Sequence, residues 1–306
     1  MKKILSYIAA LGLVLAVLTT CESVDSSVLG GLASAGASAL GASDTVAGAI
    51  GAGVGTFAES SKAARELTPE NEYYIGRAVA ANITTQYKVY SADPALRLYL
   101  NKICGAITVN SPRPEIWNGY HVAILDTEEI NAFATSGGHI FVTRGLIACT
   151  STEDELASVI AHEIAHIQLQ HGLTAIRNSR YIKAATSGLL AGIGSAAGGN
   201  IAELADIMNE SVGEIIVTLI SKGYSREQEY EADSTALSLL ASTGYEPSAI
   251  LGMLRALERN TRGGSGFGKT HPAPADRIAS VNKRLASYTV ADTQTFRRGR
   301  YAAVKK

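Results

Sequence analysis

Apolar and polar positions alternate with several different rhythms along this 306-residue chain. Behind Lys2 and Lys3 runs an apolar stretch, Ile4 to Leu18. It is short for a membrane span, and its basic start gives it the form of a signal peptide. From Ser27 to about Phe57 Gly, Ala and Ser dominate, leaving little bulk for a core, so a flexible tether is the expectation. Gly51 and Gly55 within the apolar run Thr45 to Phe57 keep a second reading open, a membrane-associated or self-associating helix. The pattern becomes that of a packed domain near Leu67. Thr68-Pro69-Glu70 is a helix start, and Asp93 or Ser91 before Pro94 opens another helix carrying Leu96, Leu98, Tyr99, Leu100 and Ile103. Tyr120 to Leu125 reads as a strand. His139, Ile140, Phe141, Val142 and Thr143 form a second β-prone run behind the turn signal Gly137-Gly138, and Asn131 to Ala134 a preceding strand or loop.

Residues 152 to 171 change the period to 3.6. Leu156, Ile160, Ile164 and Ile167 form one apolar stripe, Ser151 or Thr152 is placed to cap the start, and Gly172 is expected to end the run. Glu153, Asp154 and Glu155 suit the positive end of the helix dipole. A Gly/Ala-rich, mostly helical insertion follows at about 180 to 220, its apolar runs broken by Glu203, Asp206 and Glu210. Helices are expected at about 229 to 242 and 247 to 259, then a Gly-rich loop from Gly263 to Lys269. The fold class is therefore α+β, mostly helical, with a small β-sheet beside the 152–171 helix. The sequence divides into a signal peptide (1–20), a Gly/Ala-rich tether (21–66), one folded domain (67–288) and a basic C-terminal tail (289–306).

Charge narrows the function classes. A formal net charge of -1 gives no reason to expect nucleic-acid binding. The tail residues Arg297, Arg298, Arg300, Lys305 and Lys306 read as a solvated end. Of three cysteines, Cys21 closes the stretch Leu18-Thr19-Thr20-Cys21, which resembles a bacterial lipobox, although Thr20 is larger than the usual Gly, Ala or Ser. Lipidation there would tie the chain to a membrane facing the periplasm, the outer membrane rather than the inner. Cys104 and Cys149 both lie in apolar surroundings, and a disulfide or two free buried thiols fit equally.

The chemistry is concentrated at residues 162 to 166, His-Glu-Ile-Ala-His. Residues i and i+4 stand on one helix face, so His162 and His166 can bind one divalent metal, with Glu163 beside them within reach of a bound water. A third His ten residues after the first would mark one peptidase clan. That position is Gly172, so the pattern fails. His171 falls on the opposite helix face and reads as a surface histidine. The better third ligand lies in Ser225-Arg226-Glu227-Gln228-Glu229-Tyr230-Glu231-Ala232-Asp233. Glu229 and Asp233 share a face: Glu229 can complete a His, His, Glu set, and Asp233 can accept the free ring N–H of a ligand histidine. Arg226 is the candidate to balance the local negative charge. Glu227, Gln228 and Glu231 read as a solvated face. His139 reads as a strand surface residue. The run from His139 to Val142 is a candidate edge strand for an extended peptide.

With these motifs the chain resembles the gluzincin peptidases that include HtpX, the CAAX prenyl-protein endopeptidases and the mitochondrial Oma-type proteases. The His-Glu-x-x-His and Ser-Arg-x-x-Glu-x-Glu-Ala-Asp segments carry the likeness, with Asn131 to Leu146 and His271-Pro-Ala-Pro-Ala-Asp-Arg-Ile278. The resemblance implies one zinc per chain held by His162, His166 and Glu229, with Glu163 as general base and proton shuttle. It leaves His271 open between a contact to the reacting oxyanion, a regulatory fourth ligand, and a structural His before Pro272. Arg277 is open between substrate contact and salt bridge. It implies a zinc endopeptidase of the bacterial envelope acting on unfolded or misfolded envelope proteins. The alternative is a periplasmic chaperone or assembly factor for outer-membrane proteins with latent proteolysis.

Overall fold

The computed structural model describes residues 69–174, 223–260, 271, 273–289 and 294–305, together with the isolated positions Gly31 and Ser34. The signal peptide, the lipobox, the tether apart from Gly31 and Ser34, the 180–220 insertion and the 263–269 loop lie outside the described residues. The chain divides into two units. One, residues 1–66 with 176–209, is described only at Gly31 and Ser34, both helical. The other, residues 67–175 with 210–306, contains every element that follows.

Helix α1 (Pro69–Gln86) begins at the expected proline, and α2 (Pro94–Val109) is capped by Asp93, whose side chain accepts from the Leu96 amide. Three strands follow: β1 (His121–Leu125), β2 (Ala132–Thr135) and β3 (His139–Thr143). After the short α3 (Arg144–Cys149) come α4 (Glu153–Gln168), α5 (Arg226–Thr243), α6 (Ala249–Asn260), α7 (Pro274–Leu285) and α8 (Gln294–Val304). Among the described residues the fold is mostly helical with one small sheet, as the periodicities imply.

The sheet order is β1-β3-β2, with β1 parallel and β2 antiparallel to β3. Strand β3 is thus central, and the reading of His139 to Val142 as a peptide-binding edge is corrected. Phe141 pairs with Ala123 on one side and Phe133 on the other, so its ladder groups are taken. The sequence carried the signal. Ile140 to Thr143 is a continuous buried run rather than an alternation, the mark of a strand covered on both faces. His139 itself is half-buried and stacks on Tyr73, well away from any ligand role.

Helix α4 is the centre of the core. Thr152 caps it by accepting from the Glu155 amide, and every residue from Leu156 to Ile167 is buried. The predicted stripe is one side of a helix enclosed all round, by β2, α2, α5 and α6. Its end comes earlier than Gly172: Leu169 is the C-cap, and Gln170 takes a positive φ of 56°.

The C-terminal segment is not a solvated end. Helix α8 docks on the start of α4, where Arg297 Nε donates to Asp154 at 2.9 Å and Arg300 Nη2 to Glu153 at 2.5 Å. Tyr301 donates to the Thr150 carbonyl at 3.0 Å. The acidic turn at residues 153–154, placed by the dipole argument at the positive end of α4, is buried beneath these guanidinium groups. Cys104 and Cys149 are both free.

Glu153 also accepts from Tyr99 at 2.6 Å and Tyr245 at 2.9 Å. Burial, the largest single influence, works against its ionisation, but Arg300 and the two hydroxyls outweigh it and hold the carboxyl below its usual value. A depressed folded-state value stabilises the fold above the unfolded value of about 4.3, and that contribution is lost as pH falls through the folded value. The expected result is a melting temperature that drops on acidification below about pH 4.3 less steeply in Glu153→Gln than in wild type, measured by circular dichroism. Parallel pH profiles would remove Glu153 from the acid transition.

Candidate metal centre

Three segments converge behind α4. Helix α4 supplies His162, Glu163 and His166, helix α5 supplies Glu229 and Asp233, and the segment entering α7 supplies His271 and Arg277. A capping box at Ser225 and Gln228 fixes the start of α5, so Glu229 sits in its first turn. All seven side chains are buried.

One ligand atom from each of His162, His166, Glu229 and His271 lies within 4.8 Å of the others. His162 Nε2 and His166 Nε2 face each other at 3.0 Å, and Glu229 Oε2 and Oε1 lie 3.5 and 3.6 Å from them in turn. His271 Nδ1 is 2.8 Å from Glu229 Oε1. Donors bound at about 2.0–2.2 Å to a tetrahedral zinc are separated by about 3.3–3.6 Å, the separation at which the Glu229 oxygens stand from the two α4 imidazoles. The electrostatics of the cluster agree. His162 Nδ1 is 3.1 Å from Asp233 Oδ1. If that nitrogen carries the proton, the lone pair of Nε2 points at the carboxylate and the other imidazole. Lone pairs converging in a buried space call for a cation.

Arg277 secures the back of this cluster. Its Nε and Nη2 donate to the two oxygens of Asp233 at 2.8 and 2.6 Å, and Nη1 is 3.2 Å from Glu229 Oε2. The open choice for Arg277 thus resolves to a buried salt bridge. Arg226, expected in that role, is exposed and lies 3.9 Å from Asp276, because the first residue of α5 points away from the site.

These contacts set the protonation pattern. Burial works against a charged Asp233, but Arg277 outweighs it and holds the carboxyl at about 2. Glu229 is likewise held well below the usual carboxylate range, against its burial, by His271 and Arg277. Burial and Arg277 push His162 down, yet Asp233 and Glu229 together raise it to about 9. Burial pushes His166 and His271 down. Glu163 is pushed up to about 7 by burial, and among the described residues its Oε1 meets no hydrogen-bond partner.

Two residues of this site escaped sequence reasoning. His171 is buried, not a surface histidine, because the chain reverses at Gln170 and folds it back onto His166. Tyr224 lies face to face with His166, ring centroids 4.2 Å apart. A helix continued through residue 171 would have hidden both relations. The positive φ at a glutamine carries no sequence signature.

Buried imidazoles, a carboxylate among them and an adjacent carboxyl with one unpartnered oxygen make a candidate metal centre of the kind hydrolases use. Residues 97–285, more than half of the chain, match Peptidase family M48, and the chain belongs to that family of zinc-dependent peptidases. It is 27% identical over 235 residues to the beta-barrel assembly-enhancing protease of Yersinia pestis, covering 76% of this chain and 46% of that protein. The metalloprotease LoiP of Escherichia coli is 29% identical over 161 residues, 52% of this chain and 60% of LoiP. A mitochondrial metalloendopeptidase of Schizosaccharomyces pombe is 27% identical over 195 residues, 61% of this chain and 52% of that protein. The chain thus spans less than half the length of the Yersinia protease.

Proposed function

We propose that the protein is a zinc-dependent endopeptidase with His162, His166 and Glu229 as the metal ligands and Glu163 as general base. The observation that carries this reading is the buried convergence of the three ligands with His271 in one cluster, with the buried Glu163 next to His162 on the same helix. Bound zinc supplies a Lewis acid that polarises the scissile carbonyl and lowers the pKa of water. Glu163, with an unpartnered oxygen and a carboxyl poised at about 7, takes the proton of the attacking water and returns it to the leaving amine. Asp233 fixes the ring of His162 from behind. The position of His271, 2.8 Å from Glu229 and within the ligand cluster, favours a fourth, displaceable donor over an oxyanion contact.

The setting we propose is the bacterial envelope, with the chain lipidated at Cys21, facing the periplasm, and seated on the outer membrane. The lipobox-like segment supports the anchor, and among the described residues no helix is long and apolar enough to cross a membrane. Unfolded or misfolded envelope proteins are the proposed substrates, in keeping with relatives named for β-barrel assembly. Purified full-length protein is expected to carry about one zinc per chain. Chelation should stop casein cleavage, and zinc should restore it. Cleavage that survives complete chelation, or protein that takes up no zinc, would overturn the reading.

A further inference from the structure

His166 does not end at the metal-facing side of its ring. Its Nδ1 lies 2.8 Å from Nδ1 of His171, and Nε2 of His171 lies 3.3 Å from Glu231 Oε2. Both imidazoles are buried, whereas the Glu231 side chain is 65% exposed. A short contact between two ring nitrogens requires one proton between them, so one ring donates and the other accepts. With Nε2 of His166 turned to the ligand cluster, its proton resides on Nδ1 and His171 is the acceptor. His171 then carries its own proton on Nε2 and donates it to Glu231. One arrangement of protons satisfies every contact in the row.

Resting on the metal site proposed above, we infer that His171 is a positioning residue for zinc: it accepts the Nδ1–H of His166 and so fixes that ligand's tautomer and ring plane, with Glu231 orienting His171 in turn. The two ligand histidines of α4 are therefore held differently. His162 is backed by Asp233, a buried carboxylate locked by Arg277, and His166 by a neutral imidazole whose own carboxylate partner stands in water. The loop makes this possible. Gln170, at φ 56°, turns the chain out of α4, and its side chain is anchored by a hydrogen bond to Glu72. Tyr224 stacks on one face of the His166 ring, and the hydrogen bond to His171 fixes the ring's edge.

The test is zinc affinity by competition with a chromogenic chelator, together with the visible spectrum of the cobalt-substituted protein, on three full-length chains. His171→Phe keeps a ring and removes the acceptor. His171→Asn restores an acceptor oxygen close to where Nδ1 stood. Loss of such an outer partner typically weakens metal binding about 10- to 100-fold, and that is the loss expected in His171→Phe, with a shifted cobalt spectrum. His171→Asn is expected to bind within about threefold of wild type, again on the scale set by outer-shell substitutions, and to keep the wild-type spectrum. Equal affinity in wild type and His171→Phe would overturn the inference while leaving the zinc site standing. So would His171→Asn binding as weakly as His171→Phe, since packing alone would then be at stake. A wild-type chain that binds neither metal overturns both this inference and the zinc site beneath it. If His171→Phe does not fold, His171→Leu, which also lacks the acceptor, takes its place on the same criteria.

Discussion

Glu163→Gln is expected to reduce peptide cleavage by at least about 10³-fold while zinc content stays at the wild-type level. The two consequences separate because Glu163 shares a helix with the ligands but is not part of the four-residue cluster. Gln fills the same volume, so α4 keeps its packing. What it removes is the one oxygen able to take a proton and give it back. The fold should not suffer either, since the substitution removes a buried carboxyl whose ionised form is disfavoured there. A variant with wild-type zinc, wild-type melting temperature and no casein cleavage is therefore the outcome that fits. Cleavage within about tenfold of wild type would exclude Glu163 as the base, because general-base loss costs about 10² or more. The same variant separates the two envelope roles. A protein acting chiefly as a chaperone for outer-membrane proteins would keep its envelope function when cleavage is gone, and a protease would lose both together.

How much of this was legible in the sequence depends on whether the signal was local. The pair His162 and His166, the face shared by Glu229 and Asp233, and the caps at Thr152 and Asp93 follow from helical period and side-chain chemistry within a few residues. They required no tertiary knowledge. The errors at charged and titratable residues share one cause. Arg226 was expected to neutralise the acidic face because it is near in sequence, but the neutralising cation is Arg277, 44 residues from Asp233. Glu153 and Asp154 read as dipole-stabilising acids in the first turn of α4, and their burial shows only when α8 arrives from the far end of the chain with Arg297 and Arg300. His171 is displaced from its helical position by one left-handed residue. Long-range ion pairing and single-residue turns leave no periodic trace, and here they decide which charges are buried. The central place of β3 is different, for its uninterrupted apolar character was visible in Ile140 to Val142.

Arg277→Met is the substitution expected to damage the folded domain most. The guanidinium is 2% exposed and serves two buried carboxylates at once, Asp233 through a two-point contact and Glu229 through Nη1. Methionine matches the length of the stem and restores none of the charge. Removing one member of a buried ion pair costs about 3–5 kcal/mol, because the remaining charge has neither water nor partner. For a domain of this size that lowers the melting temperature by about 6–20 °C. Lysine would rescue part of the loss: it returns the charge as a point and cannot hold both Asp233 oxygens. The metal makes the prediction sharper. Zinc brings two positive charges beside Glu229, so the carboxylates of the variant are partly compensated only when the site is loaded, and a ligand that binds the folded state stabilises it. The gain in melting temperature on adding zinc should therefore be larger in Arg277→Met than in wild type. A loss of under about 1 kcal/mol would place Arg277 among ordinary surface pairs. A zinc-induced gain no larger than wild type would mean that Arg277 and the metal do not share the charge of Glu229 and Asp233.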